Sequence, residues 1–505
     1  MSRRVTIASL IWGGSILLSR VIGLIREAVL GRVLGAGRDA DLYLASFVVP
    51  DFLNYLLAAG ALSIVFIPLF SAHLARGDEA AGWRAFSVIA NVVSALLVLL
   101  VGALWLAMPA LVPLFAPGFS ADDQAALVHL SRIVLPAQIF HVLGGLLGAA
   151  LQARDRHGLS ALAPLVYTVG IIAGGLLGGS AEGFAWGVLV GSAAGPFALP
   201  LYGCVRMGLR WSPTLSLSHP DLRRWFTLSL PVMLGFSIVV VDDWFLTRAG
   251  STLGEGAIAA LRYAKSLMRV PMGVFGLATG VAAYPTLTRL IAEGRPTEAW
   301  DTLLAATRSV LVLATLSQVG LTVAGPDISR VLYGSRIDAA THDAIGLSLA
   351  VLCLGLWAWS AQTLLARGFY ALQQTWAPTL LGTAITLLAW PVYDALAATH
   401  GALGLAIASS LAISAYVAVL APVLARRMAG RAPGLLRFAL TLAAAAAAAI
   451  ALGLAVRGAL SPLPALLRGA LSGGLATTAA AAALLALRLP EAQALTAKVR
   501  RRLRR

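Results

Sequence analysis

The sequence predicts an all-α polytopic membrane protein of about fourteen transmembrane helices. They are read as two pseudo-symmetric six-helix lobes followed by two further helices. Three observations carry this reading. First, only 12% of the 505 residues are charged while 59% are hydrophobic, against roughly 25% charged in a soluble domain. Second, the charges sit in short clusters between long apolar runs such as Val88–Leu114, Phe184–Cys204, Leu347–Leu365 and Phe438–Val456, and about 20 apolar residues suffice to cross a bilayer. Backbone polar groups in lipid must be satisfied internally, so such runs are helical; short alternating strands of the barrel type are not seen. Third, the basic residues alternate between loops.

With Met1 in the cytoplasm, the inside loops hold Arg3/Arg4, Arg76/Arg84, Arg154/Arg156, Arg206/Arg210, Arg223/Arg224, Arg289/Arg295, Arg367, Arg426/Arg427/Arg431/Arg437 and the tail from Arg488 to Arg505. The outside loops hold only Arg32, Arg38, Arg248, Arg330, Arg336, Arg457 and Arg468. This positive-inside bias favours an even number of spans with both termini cytoplasmic, in a bacterial inner membrane. The net charge of +16 is therefore a topology signal. It forms no single basic patch with interleaved aromatics, and no nucleic-acid partner is expected.

Taken in order, the expected spans are 7–33, 41–74, 84–115, 125–153, 159–179, 183–205, 225–248, 256–292, 300–324, 341–370, 376–397, 402–426, 434–457 and 464–487. The first begins like a signal peptide, but its apolar helix continues past Arg20 without a convincing cleavage site. The second and eighth are long enough to project beyond the bilayer, and Pro50, Gly60, Pro68, Pro271, Gly276, Gly280 and Pro285 mark them as candidate bending points. An internal repeat supports the lobes. Ser9-Leu10 recurs as Ser229-Leu230, Pro50 as Pro271, the Pro68–Gly77 run as Pro285–Gly294, and Ala150-Leu151-Gln152 as Ala371-Leu372-Gln373. The offset stays at about 220 residues, and an even number of helices per lobe makes the repeat parallel. The domains read as 1–220, 221–430, the two extra helices within 431–488, and a basic cytoplasmic tail, 489–505.

Ionisable residues inside spans are costly, at least about 2.5–3.5 kcal/mol each at mid-bilayer, and therefore informative. Span one carries Arg20, Arg26 and Glu27: a structural pair with Arg26 reaching the surface, or a cationic site for an anionic substrate. Arg262, Lys265 and Arg269 fall on one stripe of span eight by their spacing and need an anion or carboxylates for compensation. Arginine and lysine in such a site suit a pyrophosphate. Asp242 and Asp243 in span seven and Asp394 in span eleven, with Ser409 and Ser410 nearby in span twelve, are read either as a Na⁺ or proton site or as charge compensation for the arginines. His141 reads as a hydrogen-bonded packing residue. Cys204 and Cys353 lie in or at the end of apolar spans, which excludes a disulfide framework and a cysteine-based metal site. No GxxxxGK[ST] loop, HExxH or Cys/His spacing is found. No transition-metal site, no organic cofactor and no catalytic constellation are expected; the short, Arg-rich loops disfavour a membrane-embedded transferase and the paired charges within the spans disfavour a scaffold, so the chain reads as a transporter.

The segment Ser19–Glu27 followed by Gly35-Ala36-Gly37 and Asp41, the run Tyr263-Ala264 with Pro271–Gly276, and Gly368–Gln373 with Pro378 resemble the MurJ (MviN) family of lipid II flippases, within the multidrug/oligosaccharidyl-lipid/polysaccharide exporter superfamily. The resemblance runs in order over nearly the whole chain. It implies fourteen helices, two lobes around a central cavity, and a groove for a lipid tail lined by the last two helices. It also implies translocation of undecaprenyl-pyrophosphate-linked peptidoglycan precursor by alternating access, with membrane lipids as partners, a monomer, and coupling to Na⁺, protons or the membrane potential. Arg20 and Arg26 match the family's cavity arginines of helix one, and Asp41 matches an acidic position at the start of helix two. Asp242, Asp394 and Ser410 resemble its sodium site. The family's helix-two arginine falls at Asn54-Tyr55, and Ser266 stands where its helix-eight arginine usually lies, flanked by Lys265 and Arg269. The alternatives are a flippase for another polyprenyl-linked oligosaccharide and a cation-coupled multidrug exporter.

Overall fold

The computed structural model describes residues 3–58, 61–233, 238–374 and 376–503, without the side chains of 3–17, Arg20, 56–64 and a few others. Every regular element among them is helical. They form two compact units: residues 1–235 with 254–258, and residues 236–253 with 259–505.

The first unit contains α1 (Arg3–Leu34), α2 (Arg38–Ala45), α3 (Val48–Ala58), α4 (Ala61–Ala75), α5 (Glu79–Phe115), α6 (Ala121–Val134), α7 (Ala137–Gln152), α8 (Gly158–Gly178), α9 (Ala181–Ser192), α10 (Leu199–Arg206) and α11 (Pro220–Met233), with a π-helical turn at Ala193–Ala198 between α9 and α10. Its α8 and α9 meet backbone to backbone. A Cβ on Gly170 would lie 2.6 Å from the Cα of Gly191, one on Gly174 2.6 Å from that of Gly187, and one on Gly178 2.6 Å from that of Gly183. Apolar side chains gain little by leaving lipid for one another. Helices in a bilayer therefore associate through close van der Waals approach, which small residues permit. A second core gathers Phe66, Phe70, Trp83 and Phe86 in edge-on and stacked ring contacts of 5.1–5.9 Å, tying α4 to the start of α5.

The second unit holds α12 (Ile238–Gly250), α13 (Ala257–Pro271, from Ala259 on), α14 (Ala278–Ala292), α15 (Pro296–Tyr333), α16 (Ala339–Leu354), α17 (Leu356–Ala371), α18 (Trp376–Arg427), α19 (Leu435–Ala459), α20 (Ala465–Ala486) and α21 (Pro490–Leu503). The 38-residue α15 is its mast, packed by α14, α16, α17, α19 and α20. The Ala-rich α19 and α20 lie on it through Val319, Val323, Ala446, Ala449, Ala476 and Ala480.

Among the described residues, eight helices are long and apolar enough to cross a bilayer, or nine when α16 and α17, bent by 43° at Gly355, count as one span. The chain is a multi-pass helical membrane protein. The two spans expected to be long continuous helices are instead built from pieces. The stretch 41–74 is divided among α2, α3 and α4, the first break lying where the Ser46 hydroxyl donates to the Tyr43 carbonyl at 2.7 Å. The stretch 256–292 holds a π-helical turn, Met272–Leu277, immediately after Pro271, where the missing proline N–H breaks the regular ladder. Gly60 lies outside the described residues. The 52-residue α18 has a non-helical Gly401 (φ 59°, ψ −138°), so the expected spans 376–397 and 402–426 fall on either side of it.

Candidate functional site

In the first unit, α1 presents Arg26 with its side chain 33% exposed, paired with Glu27 at 14%. Tyr43 of α2 and Tyr167 of α8 lie close enough to feel the Arg26 charge. The ring of Tyr167 stands edge-on to His141, 5.0 Å away, and His141 Nε2 lies 3.0 Å from the Ser192 hydroxyl. His141 thus has the hydrogen-bonded packing environment read from the sequence. The backbone of Arg20 belongs to α1, but its side chain lies outside the described residues.

Asp41, expected among the substrate-binding residues, is only 2% exposed. Its Oδ2 accepts the Gly256 N–H at 2.7 Å. Gly256 has φ +82° and would place a Cβ 2.2 Å from the Ala36 carbonyl oxygen, so glycine is required there. The acid at 41 ties the 254–258 segment down. Asn54 of α3 is half-buried.

The second unit gathers the largest charge cluster. Asp242 and Asp243 sit on α12, and Arg262, Lys265 and Arg269 form the stripe on α13. Lys265 Nζ donates to Asp242 and to Asp243 Oδ1, the latter at 2.5 Å. Arg262 Nη1 and Arg269 Nη2 each lie 2.7 Å from Asp243 Oδ2. Asp242 also accepts from the Tyr393 hydroxyl and, at 3.1 Å, from the Ser409 hydroxyl. The Lys265 ammonium lies 5.4 Å from the centroid of the Trp359 ring. Burial grades across the cluster: Asp242 is 0% and Lys265 1% exposed at the side chain, Asp243 21% and Arg269 40%. Three cations thus share two carboxylates, which compensates the stripe for all but one positive charge. Lys265, grouped above with the substrate-binding residues, is sealed inside, whereas Arg269 reaches the surface of its unit. Ser266 is half-buried.

The structure does not bring Asp242, Asp394 and Ser410 to one point. Asp394 takes Arg248 Nη1 on both oxygens (2.8 and 3.0 Å) and Trp390 Nε1 at 3.2 Å. Ser410 donates to the Val351 carbonyl at 2.9 Å, filling an acceptor that the end of α16 leaves open. Their immediate neighbours, Tyr393 and Ser409, face Asp242 instead. Consecutive helical residues point about 100° apart, so a reading one residue off selects the wrong face. Among the described residues no group of His, Cys, Asp and Glu is arranged to hold a metal ion.

A third buried acid, Asp327, is not among the residues singled out from the sequence. Asp327 of α15 has a fully buried side chain. It accepts from Arg457 Nε of α19 at 2.7 Å and from Arg468 of α20 through Nε at 2.8 Å and through Nη2. Arg330 lies 3.6 Å away and bonds Asp343 of α16 at 2.8 Å. Asp327 falls just past the expected end of span nine, and the arginines had been assigned to outside loops. Only the shared acid among three scattered outside arginines hinted at it.

A family model described as lipid II flippase MurJ matches residues 30–462. A Rhizobium tropici protein named as a probable lipid II flippase MurJ is 29% identical over 399 residues, which is 75% of this chain and 74% of that protein. A solved lipid II flippase MurJ in an inward closed conformation superposes with a TM-score of 0.75 at 19% identity, covering 93% of this chain and 98% of that one. An inward-facing multidrug resistance MATE family transporter of the MOP superfamily follows at TM-score 0.70 and 15% identity, covering 83% and 98%. At these identities the two structures speak for the fold.

Proposed function

This chain belongs to the lipid II flippase MurJ family, and from that premise we propose that it translocates lipid II, the polyprenyl-pyrophosphate-linked peptidoglycan precursor, across the bacterial inner membrane. The observation that carries the proposal is the family match over residues 30–462, the greater part of a chain whose helices are built to span a bilayer. The site chemistry supports it. Each unit exposes an arginine from within its charged network, Arg26 in the first and Arg269 in the second. Guanidinium groups grip phosphate oxygens with paired hydrogen bonds. The chain acts as a transporter and not as an enzyme in this reading, as a monomer, with both termini cytoplasmic as the arginine distribution favours. The lipid tail runs along α19 and α20, whose leucines Leu436, Leu440, Leu466 and Leu471 are exposed. Cations carried within the spans let the membrane potential drive the cycle, at about 2.3 kcal/mol per elementary charge and 100 mV.

The test is complementation of a conditional bacterial lipid II flippase mutant, with lipid intermediates assayed on each leaflet. Rescued growth with lipid II released from the inner leaflet is the expected result. Failure of a well-expressed chain, with another polyprenyl-linked glycan released in its place, would overturn the assignment of substrate.

A further inference from the structure

From the sequence, Asp242 is open to two readings, a Na⁺ or proton site and charge compensation for the arginines, and the family resemblance implies the sodium site. The residues now found around it do not fit a metal ion. A cation site needs acceptor oxygens turned toward an opening. Around Asp242 the neighbours present hydrogens: the Lys265 ammonium, the Tyr393 hydroxyl and the Ser409 hydroxyl all donate to its carboxylate. Asp243, which could share an ion with it, is taken up by the same ammonium and by Arg262 and Arg269. Among the described residues, the group in the position of an ion between the two carboxylates is Nζ of Lys265. It is sealed from solvent (side chain 1% exposed) and set against the face of Trp359, as an ammonium favours.

We infer that Lys265 is a tethered cation that permanently fills the place between Asp242 and Asp243, so that this unit needs no sodium ion. A carboxylate buried as Asp242 is, with a second one beside it on Asp243, demands a counter-charge. A diffusible ion would supply it conditionally, making the packing of α12, α13 and α18 depend on the salt outside. A lysine supplies it always, and its positive charge repels any second cation from the same spot. The cluster Asp242–Lys265–Asp243 is accordingly a fixed strut between α12 and α13, with Tyr393 and Ser409 of α18 joined through Asp242.

The experiment uses the full-length protein purified in detergent, with sodium as the probe and potassium or choline chloride at equal ionic strength as references. Wild type is expected to bind no radioactive sodium above the choline background and to melt at the same temperature in all three salts. Lys265→Met, which keeps the length of the side chain and removes its charge, is expected to melt several degrees lower and to recover part of that loss as sodium rises, because the carboxylates then recruit an external ion. The double variant Asp242→Asn/Lys265→Met, which removes the acid together with its partner, should be less sodium-sensitive than the single variant. Stoichiometric sodium binding by wild type, or a melting temperature raised specifically by sodium, would overturn the inference. So would a Lys265→Met protein as stable as wild type and indifferent to sodium. If the single variant does not fold, the wild-type binding measurement decides alone. None of these readouts involves lipid transport, so they stand apart from the complementation test.

Discussion

Asp327→Asn removes one negative charge from the point where three arginines meet and changes almost nothing in shape. The wild-type carboxylate is fully buried and joins α15 to α19 through Arg457 and to α20 through Arg468, with Arg330 of its own helix alongside. Deleting one member of a buried ion pair costs about 3–5 kcal/mol when both members are sealed. Here the guanidinium groups retain 17–23% exposure. Solvent relieves part of their mutual repulsion, and the expected loss falls to about 2–3 kcal/mol. The loss should be local before it is global, because the rest of the α15 contact with α19 and α20 is apolar, through Val319, Val323, Ala446, Ala476 and Ala480 and through Val312, Phe438, Leu442 and Leu484, and does not depend on the charge. The assay is unfolding of the purified protein in mixed micelles of rising SDS content, with proteolysis in the 460–464 connection reporting release of the facing ends of α19 and α20. Combining Asp327→Asn with Arg457→Gln should restore part of the stability, since an uncompensated cation is removed, and a double-mutant cycle measures that coupling. A loss below about 0.5 kcal/mol, the range of an ordinary surface substitution, with unchanged proteolysis, would refute the reasoning.

Other predictions follow from single geometries. Gly187→Leu places a side chain where even a Cβ would stand 2.7 Å from the Gly170 carbonyl oxygen; α8 and α9 must separate, at a cost of about 1–3 kcal/mol or more, visible as a lower melting temperature. Arg26→Ala should abolish complementation with expression and membrane insertion retained, and Arg20→Ala likewise; normal growth with both variants would remove the arginine site from the proposal. Acidification should loosen the start of α16. The Asp338 carboxylate accepts the Thr341 backbone N–H at 2.9 Å and its hydroxyl at 2.7 Å, and these bonds hold its carboxyl below the usual carboxylate range. Its capping contribution is therefore complete above the ordinary carboxylate pKa and lost as pH falls through the lower folded value, which hydrogen exchange along Ala339–Asp343 would report.

Much of the charged network was legible one residue at a time. Arg262, Lys265 and Arg269 share a stripe by helical spacing alone, and three stacked cations required acids; Asp242 and Asp243 were already the nearest buried candidates in the sequence. What spacing does not contain is rotation. Whether Tyr393 or Asp394, and Ser409 or Ser410, turns toward Asp242 depends on how α18 is rotated against α12. That rotation is set by contacts such as Phe245 against Tyr393 at 4.9 Å and Trp244 against Trp390 at 5.0 Å. Asp41 shows the same limit: spacing does not show that Gly256, 215 residues away, bonds to it.

The sequence by itself determined that this chain is helical and membrane-spanning, because hydrophobic length and the positive-inside pattern follow from the bilayer and from backbone hydrogen bonding, which act on each segment separately. Tertiary structure alone decided which charges neutralise which. Lys265 was sealed between two acids and Arg269 left exposed, and Asp327 became the junction of three helices. Ion pairing between distant segments depends on rotations and separations of a few ångströms, and those are settled only when the helices pack.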